Sequence, residues 1–324
     1  MRTALITGIT GQDGHHLTSF LVKKGYRVIG TVSDTNSARA NKFRSLYPEV
    51  KLVNGDLTGF ENLLRTVEET KPDEIYNLGA VSLVSLSFSE PEMTANSTGL
   101  GTLRLLQALR TLGAHETRFY QASSSEMFGL AQESPQNELT LFHPRSPYAV
   151  AKIFAHYTTQ NYREAYDLFA CSGILFNHEG EFRRHEFVTR KITSNLVKIK
   201  LGKIDRFSLG ILTPQRDWGY AGDYVEAMWL MLQHSKPEDF VIATGVAHSV
   251  KDFLLQSMKT LDLAQDIEKY VDFDKSLTRP TEVETLVGDA SKAREKLGWQ
   301  PRTSFEKLIE IMIENDLKIE SANQ

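Results

Sequence analysis

The chain has 324 residues, 41% of them hydrophobic, and a formal net charge of -4. That is enough to bury a large core, and the charge argues against a general nucleic-acid binder. No run approaches 18 apolar residues, so no membrane span is expected, and Met1-Arg-Thr leads into a strand instead of a signal peptide, which points to a cytoplasmic protein. The single cysteine, Cys171, has no internal disulfide partner and lies in an apolar run, as a core thiol does.

In chain order, residues 4–7 form a short apolar run that reads as a buried strand, followed by Gly8-Ile-Thr-Gly-Gln-Asp-Gly14 and a helical stretch over 16–24. Glycines at a strand-to-helix turn let the backbone approach a pyrophosphate, whose charge then meets the free N–H groups of the helix N-terminus. Gly8, Thr10, Gly11, Gln12, Asp13 and Gly14 are therefore expected to cradle a dinucleotide, although the spacing is G-x-x-G-x-x-G and not the commoner G-x-G-x-x-G. The next strand, 27–32, ends near Asp34, which lies twenty residues after Gly14 where an acid hydrogen-bonds a ribose 2′-OH; taken alone this favours NAD. Ser33, Ser37 and Arg39 stand beside it.

Alternation continues with a strand over 51–54, a helix over 62–69, a strand over 74–78, a helix over 100–112 and a strand over 118–122. Strands alternating with helices imply a parallel sheet covered on both faces, with ligands beyond the carboxyl ends of its strands. The expected class is α/β, a Rossmann-type doubly wound parallel sheet with a smaller C-terminal α/β substrate lobe. Asp56 and Leu57 fall on the adenine side of such a sheet, and Leu78, Gly79, Ala80 and Ser82 on the nicotinamide side.

Past the last of these strands, Gln121-Ala-Ser-Ser-Ser-Glu126 places Ser124 and Glu126 two residues apart, on one side of an extended strand. Tyr148 and Lys152 are four apart, on one face of a helix, where the ammonium is expected to favour phenolate and lower the phenol's pKa. A hydroxyl, a carboxylate, a phenol and an ammonium are thus expected in one active site. His15-His16 lacks a third ligand at a useful spacing, and no metal site is expected.

Ala4-Leu-Ile-Thr-Gly-Ile-Thr-Gly-Gln-Asp-Gly14, Arg145-Ser-Pro-Tyr-Ala-Val-Ala-Lys152, Gly173-Ile-Leu-Phe-Asn-His-Glu179, Phe187-Val-Thr-Arg-Lys-Ile192, Arg216-Asp-Trp-Gly219 and Asp223-Tyr-Val-Glu-Ala-Met-Trp229 resemble GDP-mannose 4,6-dehydratases, within the extended short-chain dehydrogenase/reductase superfamily. The similarity runs nearly end to end, through Arg279-Pro-Thr-Glu-Val283 and Lys292-Ala-Arg-Glu-Lys-Leu-Gly-Trp299. It implies conversion of GDP-D-mannose to GDP-4-keto-6-deoxy-D-mannose with a recycled NADP, NAD being the lesser alternative. Residues 1–170 would then be the NADP-binding Rossmann domain and 171–324 mainly the nucleotide-sugar lobe, with some segments returning to the first domain. The resemblance also implies a homodimer or homotetramer.

Each step of that reaction asks for a particular group. Oxidation at C4 needs a base beside a hydride acceptor, which suits Tyr148 and Lys152 with Ser124 on the same oxygen. The C5 proton then becomes acidic, and its removal with loss of the C6 hydroxyl as water needs a second acid/base, Glu126. An epimerase or reductase has no use for such a carboxylate, so Glu126 discriminates. The alternatives are a 4,6-dehydratase of another nucleotide hexose and a 4-keto reductase or epimerase of the same superfamily. By the resemblance, His178 and Arg183 touch the cofactor; Arg216 and Arg279 meet the diphosphate; and Ser82, Asn177, Val188, Lys191 and Glu282 contact the rest of the substrate. Departures are Ser124 where threonine is usual, Gly180-Glu181 where Ser-Pro is usual, Arg184 where glycine is common, and Val81 and Met93 where glutamine and tyrosine are frequent.

Overall fold

The computed structural model describes residues 1–277 and 279–322. Its strands are β1 Thr3–Thr7, β2 Arg27–Val32, β3 Lys51–Asn54, β4 Glu74–Asn77, β5 Arg118–Ser124, β6 Ala170–Leu175, β7 Asn177–Glu179, β8 Phe207–Leu209, β9 Gln215–Tyr220, β10 Phe240–Ile242, β11 Ala247–Ser249, β12 Val271–Phe273 and β13 Thr285–Leu286. Seven of them form one parallel sheet in the order β10-β6-β5-β4-β1-β2-β3. The strand order reverses at β1, between β2 and β4, and that is where a crevice opens in such a sheet.

Both faces are covered, which is why β1 and β6 are buried at every residue. On one face lie α1 Gln12–Lys23 and, with α2 Ala38–Leu46 beside it, Phe43 and the apolar sides of Ile6, Tyr76 and Tyr120. On the other lie α3 Phe60–Thr70, then, after the short α4 Val84–Ser89 and α5 Pro91–Thr94, α6 Leu100–Thr111 and α7 Pro147–Tyr166. Helix α7 starts where Pro147 can take the first helical position and the Ser146 hydroxyl accepts from Ala149 N at 3.1 Å.

The second half supplies α8 Val188–Lys200, α9 Ala221–Gln233, α10 Val250–Thr260, α11 Ile267–Tyr270, α12 Ser291–Leu297 and α13 Phe305–Ala322. Here β9 pairs with β7 and β13 in parallel and with β11 antiparallel, and β8 pairs with β12. Ile192, Leu196, Trp218, Phe253, Leu308 and Met312 form this lobe's own core under α8, α10 and α13. Strands β6 and β10 and helix α9 nonetheless belong to the large sheet, with α9 packed on α1.

Two local differences from the sequence expectation have physical causes. Helix α1 starts at Gln12, before the expected 16, because Gly14 packs onto the Ile9 backbone and is itself helical. A π-helical turn, Ala95–Gly99, precedes α6, with Gly99 against Phe154 of α7. Among the described residues no helix is long and apolar enough to cross a membrane.

Candidate active site

The cavity lies at the carboxyl ends of β1, β4, β5 and β6. Three buried polar side chains lock the ends of β1, β4 and β5 together. Thr7 Oγ1 donates to Asn77 Oδ1 at 2.6 Å, Asn77 Nδ2 donates to Gln121 Oε1 at 2.7 Å, and Gly79 N donates back to Thr7 Oγ1 at 3.0 Å. Each partner is satisfied inside the protein, so the strand ends are held without water.

The floor is made by glycine. Gly8 has φ +64°, and a Cβ on it would stand 2.8 Å from Gly79 Cα, so the turns after β1 and β4 touch backbone to backbone. A Cβ on Gly14 would stand 2.1 Å from Ile9 O. No side chain caps α1, whose first N–H groups therefore lack helical partners where Gly11, Gln12, Asp13 and Gly14 line the cavity. Such a backbone cradle fits a dinucleotide pyrophosphate. The buried Gln12 Oε1 and Asn177 Oδ1, both on the cavity wall, have no partner in the protein and remain available to a ligand.

His178 fastens β7 to this floor. Its Nδ1 faces Phe176 O at 2.7 Å and its Nε2 faces Asp13 Oδ2 at 2.9 Å, while Gln12 Nε2 donates to His178 O at 2.9 Å. With acceptors at both ring nitrogens, the imidazole carries both protons. Burial lowers the His178 pKa, but the Asp13 carboxylate outweighs it and the net direction is up; Asp13, opposed by its own burial, is held well below the usual carboxylate range by His178.

Ser124, Glu126, Tyr148 and Lys152 line the same cavity. Ser124 and Glu126 meet there by a route other than strand alternation. Strand β5 ends at Ser124, residues Ser125–Met127 form a 3₁₀ turn, and Ser124 caps it by accepting from Glu126 N at 3.2 Å. The turn, not the pleat, brings the carboxylate round.

The expected depression of the Tyr148 phenol is corrected as well. Burial pushes Tyr148 up to about 12, with a hydrogen bond from Ser124 easing it and the Glu126 charge adding to it. Burial likewise pulls Lys152 down to about 8. The ammonium is spent on the Ala122 carbonyl, to which Nζ donates at 2.6 Å, and sits 5.7 Å from the phenol ring centroid. Desolvation wins over the cation because the lysine is turned to the strand backbone.

The opposite wall carries charge. Arg279 Nη1 donates to Glu126 Oε1 at 3.2 Å. Arg216 stands behind the cavity lining, with Nη2 on Glu282 Oε1 at 3.0 Å and Nη1 on the carbonyls of Gln215 and Val283. Arg183 lines the cavity, its Nε 2.7 Å from Glu179 Oε2 and its guanidinium 3.5 Å over Phe187. The unusual segment after Glu179 is packed in place by Phe182, stacked on His15 at 4.3 Å, with Glu181 Oε2 3.6 Å from His16 Nε2. Both histidines thus serve packing, and among the described residues no three His, Cys, Asp or Glu side chains group as metal ligands.

Of the other expected residues, Leu78, Ala80 and Ser82 line the cavity, Gly79 lies just behind, and Thr10 sits in the glycine turn. Asp34, Arg39 and Asp56 are exposed beyond it; Asp34 Oδ1 accepts from Asn36 N at 2.8 Å and Asp56 Oδ1 from Thr58 N at 2.9 Å. Leu57 packs under Gly79 and Gly101, and Val188 and Lys191 open α8 outside the cavity.

Sequence reasoning missed Ser123, Ser125, Val84, Phe176 and Phe187 in the lining. It also missed what stands behind Lys152. His156 Nδ1 lies 3.1 Å from Ser123 Oγ, Gln160 Nε2 lies 3.2 Å from His156 Nε2 and donates to Asp239 Oδ2 at 2.9 Å, and Arg163 forks onto Asp239. Because Gln160 donates, His156 accepts at Nε2 and carries its proton on Nδ1, toward Ser123. The signal was present as a four-residue spacing continued from 148 and 152 to 156 and 160.

A family model described as GDP-mannose 4,6 dehydratase matches residues 5–312. The chain is 49% identical to GDP-mannose 4,6 dehydratase 1 of Arabidopsis thaliana, over 98% of this chain and 90% of that protein. It is 48% identical to the human GDP-mannose 4,6 dehydratase, over 99% and 92%. In fold it is similar to the dTDP-glucose 4,6-dehydratase of Bacillus anthracis solved in complex with NAD, with TM-score 0.85 and 20% identity over 99% of this chain and 98% of that one.

Proposed function

Since the chain belongs to the GDP-mannose 4,6-dehydratase family and dehydrates GDP-mannose, we propose that Ser124, Glu126, Tyr148 and Lys152 carry the chemistry and that the nicotinamide cofactor is NADP. In this reading residues 1–170 hold the cofactor and residues 171–324 mainly the nucleotide sugar. Held over the glycine floor by Gly8, Gly11, Gln12 and Gly14, a nicotinamide cofactor would supply a hydride acceptor for C4 and a hydride donor for C6.

Tyr148 receives the C4 hydroxyl proton. Its phenol, pushed up to about 12 by burial, is protonated in the ligand-free cavity, so it serves as the base only after giving that proton up to solvent, a loss that the positive charge of an oxidised nicotinamide would favour. Lys152 supports the phenol from the strand side. Glu126 then takes the C5 proton, acidic beside the new ketone, and protonates the departing C6 oxygen, which leaves as water. Glu126, left as a carboxylate once the water has gone, takes a proton from solvent and delivers it to C5, which is how deuterium enters there. The observation that supports this best is that all four groups share one cavity with the glycine floor.

Glu126→Gln tests it. The amide keeps the size and can hydrogen-bond but cannot take a proton at neutral pH. The variant is expected to oxidise C4 in a single turnover, seen as reduced-nicotinamide absorbance, then stall without a 6-deoxy product or deuterium at C5 in deuterated water. A wild-type rate of 6-deoxy product would move the base elsewhere.

NADP is favoured over NAD because the Asp34 carboxylate is occupied by the Asn36 N–H while Arg39 stands exposed nearby. Calorimetry should give tighter binding of NADP; tighter NAD reverses the assignment. The outer face of α7 exposes Val150, Phe154 and Tyr157, which supports a homodimer or homotetramer. Light scattering at micromolar concentration should find at least a dimer, and a clean monomer would refute it.

A further inference from the structure

The Arg279–Glu126 pair joins two tasks that the reaction keeps apart. Glu126 is buried at the cavity and its Oε1 accepts from Arg279 Nη1 at 3.2 Å. Among the described residues Glu126 is the one ionic partner of Arg279. A guanidinium has five N–H donors in a planar fork, so one arm on Glu126 leaves others for a diphosphate oxygen. Arg216 differs, because its arms are engaged by two carbonyls and Glu282 and it lies outside the lining. Its surroundings still register the pair: burial pushes the Arg216 guanidinium down, Glu126 pushes it back up and Arg279 opposes.

The segment carrying Arg279 is sewn to both sides of the cavity. Thr281 Oγ1 donates to Arg145 O, three residues before Tyr148, and Glu282 holds Arg216 on β9. We infer that Arg279 is a positioning residue that couples capture of the nucleotide diphosphate to the placement of Glu126, so that the phosphate end of the substrate governs the elimination step. This rests on Glu126 being the elimination base. Binding energy at a part of the substrate that does not react is thereby used at the part that does.

A double-mutant cycle on GDP affinity tests the coupling without catalysis or cofactor. Calorimetric dissociation constants are measured for the wild type, Glu126→Gln, Arg279→Met and the double variant. If the two side chains share one guanidinium, Glu126→Gln changes GDP affinity by about three- to tenfold more, or less, in the wild-type background than in Arg279→Met. Additive effects overturn the proposal, whatever Glu126→Gln does to turnover. Failure of Glu126 as the base is seen separately, in a wild-type rate of 6-deoxy product from Glu126→Gln.

The consequence for catalysis is read at saturating GDP-mannose as the ratio of C5 deuterium incorporation to C4 oxidation. Arg279→Met should lower that ratio roughly 10- to 100-fold, as expected for a displaced catalytic group. Arg279→Lys, which keeps a cation for the phosphate and loses the fork, should lower it less. A raised KM with an unchanged ratio in both variants means that Arg279 only binds phosphate, and overturns the coupling.

Discussion

The two walls of the cavity are built from different materials. The floor at β1 and β4 is backbone on backbone, closed by Gly8, Gly14 and Gly79 and by the Thr7–Asn77 hydrogen bond. The charged wall is side chain on side chain, where Arg279 pairs with Glu126 and, behind the lining, Arg216 pairs with Glu282. Tolerance to substitution differs accordingly. A backbone contact cannot be relieved by a new rotamer, so substitutions on the floor disturb the fold, whereas on the charged wall a substitution that keeps the hydrogen bond changes the local electrostatics and leaves the backbone in place.

The largest effect should come from the floor. Gly14→Ala puts a Cβ 2.1 Å from Ile9 O and 2.4 Å from Ile9 C, and is expected to destabilise by about 3 kcal/mol or more and to abolish nucleotide retention. A melting temperature equal to wild type would show that α1 can slide off Ile9 and that the floor is not rigid.

Lys152 sits on the seam between the walls, and its pH dependence has two opposite signs. Its folded pKa of about 8 is below the ordinary 10.5, so the buried charge opposes folding at neutral pH; the associated stability is present above about 10.5 and is lost as pH falls through about 8. At about 1.4 kcal/mol per pH unit the drop from 10.5 to about 8 amounts to about 3 kcal/mol. The ammonium that supports Tyr148 is lost over the same range as pH rises. Cofactor reduction by substrate should therefore decline with a midpoint near pH 8, while the melting temperature of the nucleotide-free protein, compared with Lys152→Met, gains. If both fall together, the lysine is not the titrating group.

The smallest effect belongs to the charged wall. Glu282→Gln keeps an acceptor for Arg216 Nη2, now 3.0 Å from the carboxylate, but removes the charge. It should raise KM for the nucleotide sugar by about three- to tenfold and hardly move the melting temperature. A loss of stability comparable to that of Gly14→Ala would erase the contrast between the walls.

The same contrast explains what could be read from the chain. Strand-to-helix alternation and glycine spacing are local, and they predicted the strands at 27–32 and 51–54 with the ends observed. Tyr148 and Lys152 were legible because helical spacing is local too. Ser124 and Glu126 do line one cavity, but through a 3₁₀ turn and not strand alternation, since nothing in Ser-Ser-Ser-Glu distinguishes a continued strand from a strand capped by its own serine. The pKa of Tyr148 was misjudged because a sequence shows the neighbouring ammonium and not the burial of both groups or the Ala122 carbonyl that takes the ammonium. The meeting of Arg279 with Glu126 depends on tertiary packing alone, and no local pattern encodes it.

The late arrival of β6 and β10 in the large sheet has a consequence for how the protein is made. Strand β5, which bears Ser124, has β4 on one side as soon as it emerges, but its other side is paired only by Ala170–Leu175, and that strand in turn only by Phe240–Ile242. At about 5–20 residues per second on the ribosome, the nascent chain presents an unpaired apolar edge for several seconds. The strand that bears Ser124 is thus exposed on one side while the polypeptide is being made, and the yield of folded enzyme in the cell should be more sensitive to chaperone supply and translation speed than its finished stability would suggest.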